Sequence, residues 1–259
     1  MRILIRTSKW AIWARRFGAL ALPVAVIPVL LHRGRLVSSE NFVIIETAAM
    51  GLALIAVAAA CVAFVRLWFT GDQGWSRAAA AFIFGGICLL PAAYFLWLAA
   101  TIPASTDVST DYAAPPPLVS FVESRFVGPE ERERIEASYP NARPRTYPIQ
   151  APQMFGVIET MIEAQGWEIR ARRAPVGPMD QGQVNAVVTT LLGFAHEVVI
   201  RVAGSPDGAK VDMRSVSLST FPDFGENGQR VEAFLLELDN QVTLMLRNAP
   251  AQGVVEEGE

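Results

Sequence analysis

The sequence is poor in the residues that most often bind metals or form disulfides, since its 259 residues include two cysteines and two histidines. Cys61 and Cys88 both lie inside apolar segments, which is typical of small buried side chains and does not indicate a disulfide framework. His196 is the only histidine in the second half of the chain, and no cysteine lies near it. This pattern excludes a His/Cys metal site there. We therefore predict no metal and no cofactor.

Charge is also absent from a long stretch near the middle of the chain. Residues 78–102 contain no charged side chain, and about 20 apolar residues suffice for a helix to cross a bilayer. Two further apolar segments precede this one, at residues 17–31 and 42–69. Together they predict an N-terminal membrane region at residues 1–103, with three helices at about residues 15–32, 42–69 and 78–102.

The first apolar segment is short, contains Pro23 and Pro28, and follows a basic start. A spanning helix is favoured, because Trp10 and Trp13 could anchor the segment at the membrane boundary. A cleaved signal peptide is the alternative, although no small-residue cleavage site follows Leu31. Both interpretations stay open at this point.

Basic and acidic residues are divided unequally between the two halves. Residues 1–103 carry nine Lys or Arg and three Asp or Glu, and residues 104–259 carry thirteen and twenty-two, so that +6 and −9 give the net charge of −3. A basic membrane part and an acidic soluble part argue against nucleic-acid binding, which needs a positive surface, and we predict no nucleic-acid partner. Seven basic residues flank one side of the predicted helices and two flank the other. This bias favours a cytoplasmic N-terminus, and we predict a multi-pass protein of the bacterial inner membrane with a periplasmic C-terminal domain.

The rest of the chain predicts a linker, a soluble domain and a tail. Residues 104–150 are rich in proline and indicate an extended linker followed by an ordered loop. Residues 151–248 predict an α+β domain, in which short connections favour an antiparallel four-stranded sheet with helices packed on one face. Residues 249–259 are acidic and predict a disordered tail. The predicted elements are helices at 128–138, 152–165 and about 224–247, and strands at 167–174, 183–192, 196–203 and 210–219.

Three motifs of the second half recur together in one protein family. They are residues 106–111 (TDVSTD), Gly166-Trp167, and residues 211–230. In these motifs the chain resembles the uncharacterised bacterial domain-of-unknown-function family 1499, and within it the membrane-anchored subgroup, which places the domain after a few membrane helices. The chain departs from the family pattern at Leu218 and Thr220, where Arg and Gly are usual. The resemblance implies an architecture and no mechanism, because the family has no established activity.

The start of the last predicted helix is one candidate for a binding site. Asp223, Asn227 and Arg230 could line a polar pocket there, since helix N-termini favour anions. The alternative is that the Asp223 carboxylate caps the helix by accepting its first backbone N–H groups. In that case Glu226 and Arg230 form an i, i+4 pair.

The predicted strands and the linker supply further candidates. Arg201 and Arg214 could form an arginine cluster that holds a phosphate or a carboxylate. The alternative is cross-strand ion pairing on a solvated face of the sheet. The other candidate ligand-binding residues are Asp212, Ser215 and Ser217 on the same strand as Arg214, and Asp107, Ser109 and Asp111 in the linker, where turn formation is the alternative.

These observations favour a non-enzymatic binding or assembly role at the cell envelope, with the lipid bilayer and an envelope protein as partners. The second hypothesis is a sensor of a small anionic ligand or lipid head group, which would need an apolar cavity between helix and sheet. The third is a carboxylate- or metal-dependent envelope enzyme, with Asp107, Asp111 and Asp212 in one cleft. His196 has no orienting acid in a suitable position, so we predict no catalytic residue.

Overall fold

Three long α-helices account for the apolar N-terminal part of the chain. Helix α1 spans Lys9–Arg33, α2 spans Ser39–Thr70 and α3 spans Trp75–Thr101. Each is long and apolar enough to cross a membrane, which confirms the three predicted apolar helices. All three begin three to six residues earlier than the apolar pattern indicated, because polar residues continue the helix beyond the apolar segment.

The computed structural model describes residues 6–102, 105–120, 127–219, 221 and 223–248. The predicted disordered tail, 249–259, lies outside the described residues. The chain forms two compact units, of which the first comprises residues 1–102 with 190–194 and the second comprises residues 103–189 with 195–259.

Small residues line the contacts among the three long helices. Ala14, Ala60 and Ala81 belong to one buried cluster, and a Cβ added at Gly18 would lie 3.1 Å from the Cα of Ala81. Small side chains let helix backbones approach closely, which is how helices pack in a bilayer, where the hydrophobic effect does not drive them together. The first unit is therefore packed as expected for membrane helices.

The second unit is an α+β fold. Pro129 opens its first helix at the position where a proline costs no hydrogen bond, and the turn at Pro206-Asp207 joins the last two strands as predicted. Its elements in chain order are β1 (Asp107–Ser109), α4 (Pro129–Ser138), β2 (Arg145–Tyr147), α5 (Ala151–Ala164), β3 (Glu168–Arg173), β4 (Gln181–Thr189), β5 (Ala195–Ser205), β6 (Gly208–Ser217) and α6 (Glu226–Asn248).

The sheet is antiparallel, as predicted, but it has six strands and not four. Its order is β1-β6-β5-β4-β3, and β2 also pairs with β6. The two additional strands are three residues long, too short to show an alternating pattern in the sequence. They lie one after the other along the same edge of β6, with Val108 opposite Ser215 and Thr146 opposite Lys210. The four-stranded prediction was wrong because only the tertiary structure reveals these pairings.

Helices α5 and α6 cover one face of the sheet, which we call the helix face. Ile158 and Ile162 of α5 and Leu238 of α6 are fully buried, and the rings of Trp167 and Phe234 stack with centroids 5.4 Å apart. The apolar stripes predicted on both helices form this core. The opposite face is crossed by residues 110–120, which we call the strap, and we call this side of the sheet the strap face.

Candidate functional site

A buried polar network lies on the helix face, where α6 begins. The side chain of Asn227 is fully buried and occupies its centre. Its Oδ1 accepts hydrogen bonds from Ser215 Oγ at 2.7 Å, His196 Nδ1 at 2.8 Å and Arg230 Nη1 at 3.1 Å. Its Nδ2 donates to Ser217 Oγ at 3.0 Å and to the Thr106 carbonyl at 3.3 Å. One asparagine thus ties together β5, β6, α6 and the residue before β1.

The orientation of the Asn227 amide decides the tautomer of His196. The Thr106 carbonyl oxygen can only accept a hydrogen bond, so the amide nitrogen of Asn227 must face it. The amide oxygen then faces His196 Nδ1 at 2.8 Å, a contact that is a hydrogen bond when this nitrogen carries the proton. Arg230 Nη1 lies 3.3 Å from the same nitrogen, and in this tautomer it donates to Ser215 Oγ and Asn227 Oδ1. The other ring nitrogen, Nε2, lies 3.8 Å from a carboxylate oxygen of Glu226, too far for a hydrogen bond.

Burial keeps His196 neutral. Loss of hydration, together with the nearby Arg230 charge, lowers the pKa of His196 to about 4. Burial also raises the pKa of the Glu226 carboxyl and lowers the pKa of the Arg230 guanidinium. At neutral pH the imidazole therefore serves as a hydrogen-bond donor to Asn227, and it carries no charge.

Asp223 caps helix α6, as one of the two sequence interpretations predicted. Its Oδ1 accepts the Gly225 N–H at 3.1 Å and its Oδ2 accepts the Asn227 N–H at 2.8 Å. Burial raises the pKa of this carboxyl, although the two N–H groups and the Arg230 charge act in the opposite direction. The i, i+4 pair is also present, with Arg230 Nη2 3.7 Å from Glu226 Oε2.

The strap face carries a second polar network, built on buried ion pairs. Arg214 donates from Nε to Asp107 Oδ1 at 3.0 Å and from Nη2 to Asp107 Oδ2 at 2.5 Å, the two-pronged geometry that suits a guanidinium and a carboxylate. Its Nη1 donates to the Pro116 carbonyl of the strap at 3.1 Å. Both side chains of the pair are less than one-tenth exposed. The arginine thereby links β1, β6 and the strap.

A neighbouring group pairs Arg201 with two aspartates. Arg201 Nη2 lies 2.8 Å from Asp212 and 3.4 Å from Asp111, and Lys210 Nζ lies 3.4 Å from Asp212. Asp111 also accepts two backbone N–H groups of the strap, from Ala113 and Ala114, each at 3.0 Å. These bonds and the two cations outweigh the effect of burial and lower the pKa of the Asp111 carboxyl.

Glu197 is fully buried on the same face and is held by the strap without an arginine. Its carboxylate accepts the backbone N–H groups of Val119 at 2.7 Å and Ser120 at 2.9 Å, and the side-chain amide of Asn185 at 2.7 Å. Burial alone would raise the pKa of this carboxyl, but these hydrogen bonds lower it below its ordinary value. Glu197 therefore stays ionised and fixes the end of the strap.

The structure distributes the eleven candidate residues between two faces of one sheet. Ser215, Ser217, Asp223, Asn227 and Arg230 meet on the helix face. The others are on the strap face, where Ser109 Oγ bonds to the Asp111 carbonyl oxygen in a local turn. They are Asp107, Ser109, Asp111, Arg201, Asp212 and Arg214. The sheet lies between the two groups, so they do not form a common site.

Several members of these networks were not among the candidates, and His196 and Glu197 are two of them. Both lie on β5, in the run His196–Val202 that is otherwise mostly apolar. A charged residue inside such an apolar run is buried and needs a partner. The position of Glu197 in the run could therefore have indicated a buried polar contact. The second interpretation of Arg201 and Arg214 was cross-strand ion pairing on a solvated face. Arg201 does pair across strands with Asp212, but this face is covered by the strap, and Asp212 is only 1% exposed.

The arrangement of these groups suits stabilisation of the fold more than chemistry. Within the described ranges, no three His, Cys, Asp or Glu side chains are grouped so that they could hold a metal ion. Asp107, Asp111 and Asp212 are each paired with a cation. Most of the buried polar groups on both faces of the sheet are therefore already paired within the protein, and Asp212 Oδ1, which accepts no hydrogen bond from the described residues, lies 3.4 Å from Lys210 Nζ.

Removing Asp107 tests the strap-face network. Asp107→Ala leaves the buried Arg214 guanidinium without its counter-charge, and we expect the free energy of unfolding to fall by about 3–5 kcal/mol. The measurement is urea unfolding of the full-length protein in detergent. The control is Glu136→Ala, which breaks the exposed pair with Arg132 and should have little measurable effect. Equal effects of the two substitutions would contradict the assignment.

The neutral state of His196 predicts a pH dependence of stability. The pKa of His196 is about 4 in the folded protein against an ordinary 6.5, so between these values the unfolded chain binds the extra proton and stability falls as the pH is lowered. From pH 7 to pH 5 the loss due to this residue is roughly 2 kcal/mol. Urea unfolding at both pH values checks this. His196→Gln leaves Glu226, Asp223 and Arg230 in place, and its stability should vary less with pH. An unchanged pH dependence would refute the prediction.

Comparison with known proteins agrees with this architecture. No curated protein matches the chain significantly. No solved structure does so either. A family profile described as "Protein of unknown function (DUF1499)" matches residues 107–238, half of the chain, from the first residue of β1 into α6. The match includes both polar networks, which confirms the resemblance seen in the sequence motifs, and the chain belongs to the DUF1499 family.

Proposed function

We propose that this membrane protein carries its α+β unit on the periplasmic side of the bacterial inner membrane and has a binding or assembly role at the cell envelope. Three spanning helices would put the two ends of the chain on opposite sides of the bilayer. The N-terminal segment and the connection between α2 and α3 hold most of the basic residues of the first unit, and basic connections favour the cytoplasmic side.

The observation that carries the binding role is the internal pairing of the charged groups on the strap face of the sheet. Arg214 is paired with Asp107, Arg201 with Asp212, and Glu197 with the strap. A ligand that used these groups would have to displace partners already in place. Arg201 and Arg214 also lie on the face away from α5 and α6, so the sensor hypothesis has less support than partner binding at the outer surface.

The edge of the sheet at β3 is the surface that suits a partner. Within the described part of the chain, β3 pairs with β4 and no strand pairs along its other edge. An exposed edge offers backbone N–H and C=O groups to an added strand. Arg170, Arg172 and Arg173 are exposed on β3, in a half of the chain whose net charge is negative. Arg170 pairs with Glu168 and Arg172 with Glu159, but both arginines are exposed, and exposed ion pairs contribute little and are readily exchanged for another carboxylate. We propose an extended, acidic segment of an envelope protein as the partner.

Topology reporters test the location of the unit. Alkaline phosphatase and green fluorescent protein are fused in parallel to the C-terminus of the full-length protein. We expect an active phosphatase and a non-fluorescent fusion, because phosphatase folds in the periplasm and the fluorescent protein does not. A fluorescent fusion with inactive phosphatase would show that α1 does not cross, and would contradict the proposed location.

Site-specific photocrosslinking tests the partner surface. A photoreactive residue replaces Arg170 on β3, and in the matched control it replaces Thr243, which is exposed on α6. In intact cells we expect a discrete adduct from position 170 that is absent from position 243. Addition of charge-reversing substitutions at Arg172 and Arg173 should weaken the adduct. The same adducts from both positions, or none from position 170, would speak against β3 as the docking edge.

A further inference from the structure

A cavity of about 320 Å³ opens between α1 and α3 near the N-terminal ends of both helices. Four of its lining residues, Ile12, Arg15, Arg16 and Ala19, come from α1 at the spacing i, i+3, i+4 and i+7, which places them on one face of that helix. The fifth is Arg77, in the first turn of α3. Three arginines from two helices therefore surround one opening with an apolar floor.

The backbone around this cavity is fixed by hydrogen bonds and close packing. Ser8 N donates to the Gln73 carbonyl and Gln73 N donates to the Arg6 carbonyl, both at 3.0 Å. These bonds hold the start of α1 beside the turn that leads into α3. Deeper in the bundle, Ala14 and Ala81 are fully buried in one cluster. The helix spacing is therefore set by groups other than the arginines, and the cavity does not depend on them to stay open.

The positive charges at the cavity have no counter-ion in the described part of the chain. None of the ion pairs that join described side chains involves Arg15, Arg16 or Arg77. The guanidinium of Arg16 lies over the Trp13 ring at 5.0 Å, which limits its movement while leaving its N–H groups available. The N-terminal ends of α1 and α3 add partial positive charge at the same place.

The position along the helix matches the headgroup region of a bilayer. Helix α1 has 25 residues and is about 37 Å long at 1.5 Å per residue, compared with about 30 Å for the hydrocarbon core. Its first turns can therefore reach the phosphates. Arginine binds phosphate through two parallel hydrogen bonds, and basic pockets between membrane helices attract lipid head groups. Ile12 and Ala19 give the cavity an apolar side that suits a lipid better than a free ion.

We propose that Arg15, Arg16 and Arg77 form a binding site for the phosphate of an anionic phospholipid, in the leaflet that contains the N-terminal ends of α1 and α3. Ile12 and Ala19 contact the upper part of the lipid chains. This site is independent of the partner surface on β3 and of the orientation of the protein, because the contacts are the same for either orientation.

The test measures lipid binding by the purified full-length protein in neutral detergent, with native mass spectrometry as the readout. Phosphatidylglycerol and phosphatidylcholine of the same chain length are titrated in parallel. We expect preferential retention of phosphatidylglycerol. Arg15→Gln and Arg77→Gln should each weaken its binding roughly fivefold, as for removal of one basic residue near a membrane surface.

Two further variants control for charge and for folding. Arg66→Gln removes one exposed arginine near the same end of the bundle, outside the cavity lining, and should leave binding unchanged. Ala19→Phe keeps every arginine but fills the cavity, and should weaken phosphatidylglycerol binding. The helical circular dichroism signal shows whether each variant is folded. If an arginine variant is unfolded, the binding measurement on Ala19→Phe tests the proposal instead.

Three results of the lipid titrations would overturn the proposal. They are equal binding of the two lipids, an effect of Arg66→Gln as large as that of Arg15→Gln, and unchanged binding by Ala19→Phe. A competition experiment with inorganic phosphate at millimolar concentration distinguishes a lipid phosphate from a free phosphate. If it displaces phosphatidylglycerol completely and itself remains bound, the ligand is a free phosphate and the assignment to a lipid is wrong.

Discussion

A charge that is removed from water must have a partner, and the α+β unit is built around this requirement. Burying an unpaired arginine or carboxylate costs far more than a typical single contact contributes. The unit buries Arg214, Asp107, Asp212 and Glu197, and it supplies each with an opposite charge or with N–H donors. The segment before α4 is needed for this, because Asp107 and the strap residues Val119 and Ser120 provide the partners.

This requirement explains why residues 105–120, which precede α4, are part of the fold. Its prolines prevent a regular helix and supply carbonyl groups that are not used within the segment. Two of these carbonyls, from Pro116 and Pro117, accept hydrogen bonds from Arg214 and Asn185. An extended segment with free carbonyls is well suited to cover a face rich in donors. The same composition indicates a stiff, extended linker when the face that it covers is unknown.

The two polar networks differ in their electrostatics. The strap face pairs full charges, and its carboxylates at Asp111 and Glu197 have lowered pKa values. The helix face uses a neutral amide, Asn227, as the hub for a neutral histidine, two hydroxyl groups and one arginine. Its carboxyl groups have raised pKa values because burial dominates there. Lowering the pH should therefore affect the strap face through protonation of its carboxylates and the helix face through protonation of His196.

The sequence by itself determined the features that depend on residues close together in the chain. They are the three apolar helices, the four longer strands, the apolar stripes of α5 and α6, and the Asp223 cap. The tertiary structure alone decided the rest. The three-residue strands β1 and β2 exist because β6 offers them an edge, and the eleven candidate residues divide between two faces because cross-strand register determines which side chains meet. Arg201 and Asp212, or Asp107 and Arg214, are brought together by pairings between distant segments, and no local pattern carries that information.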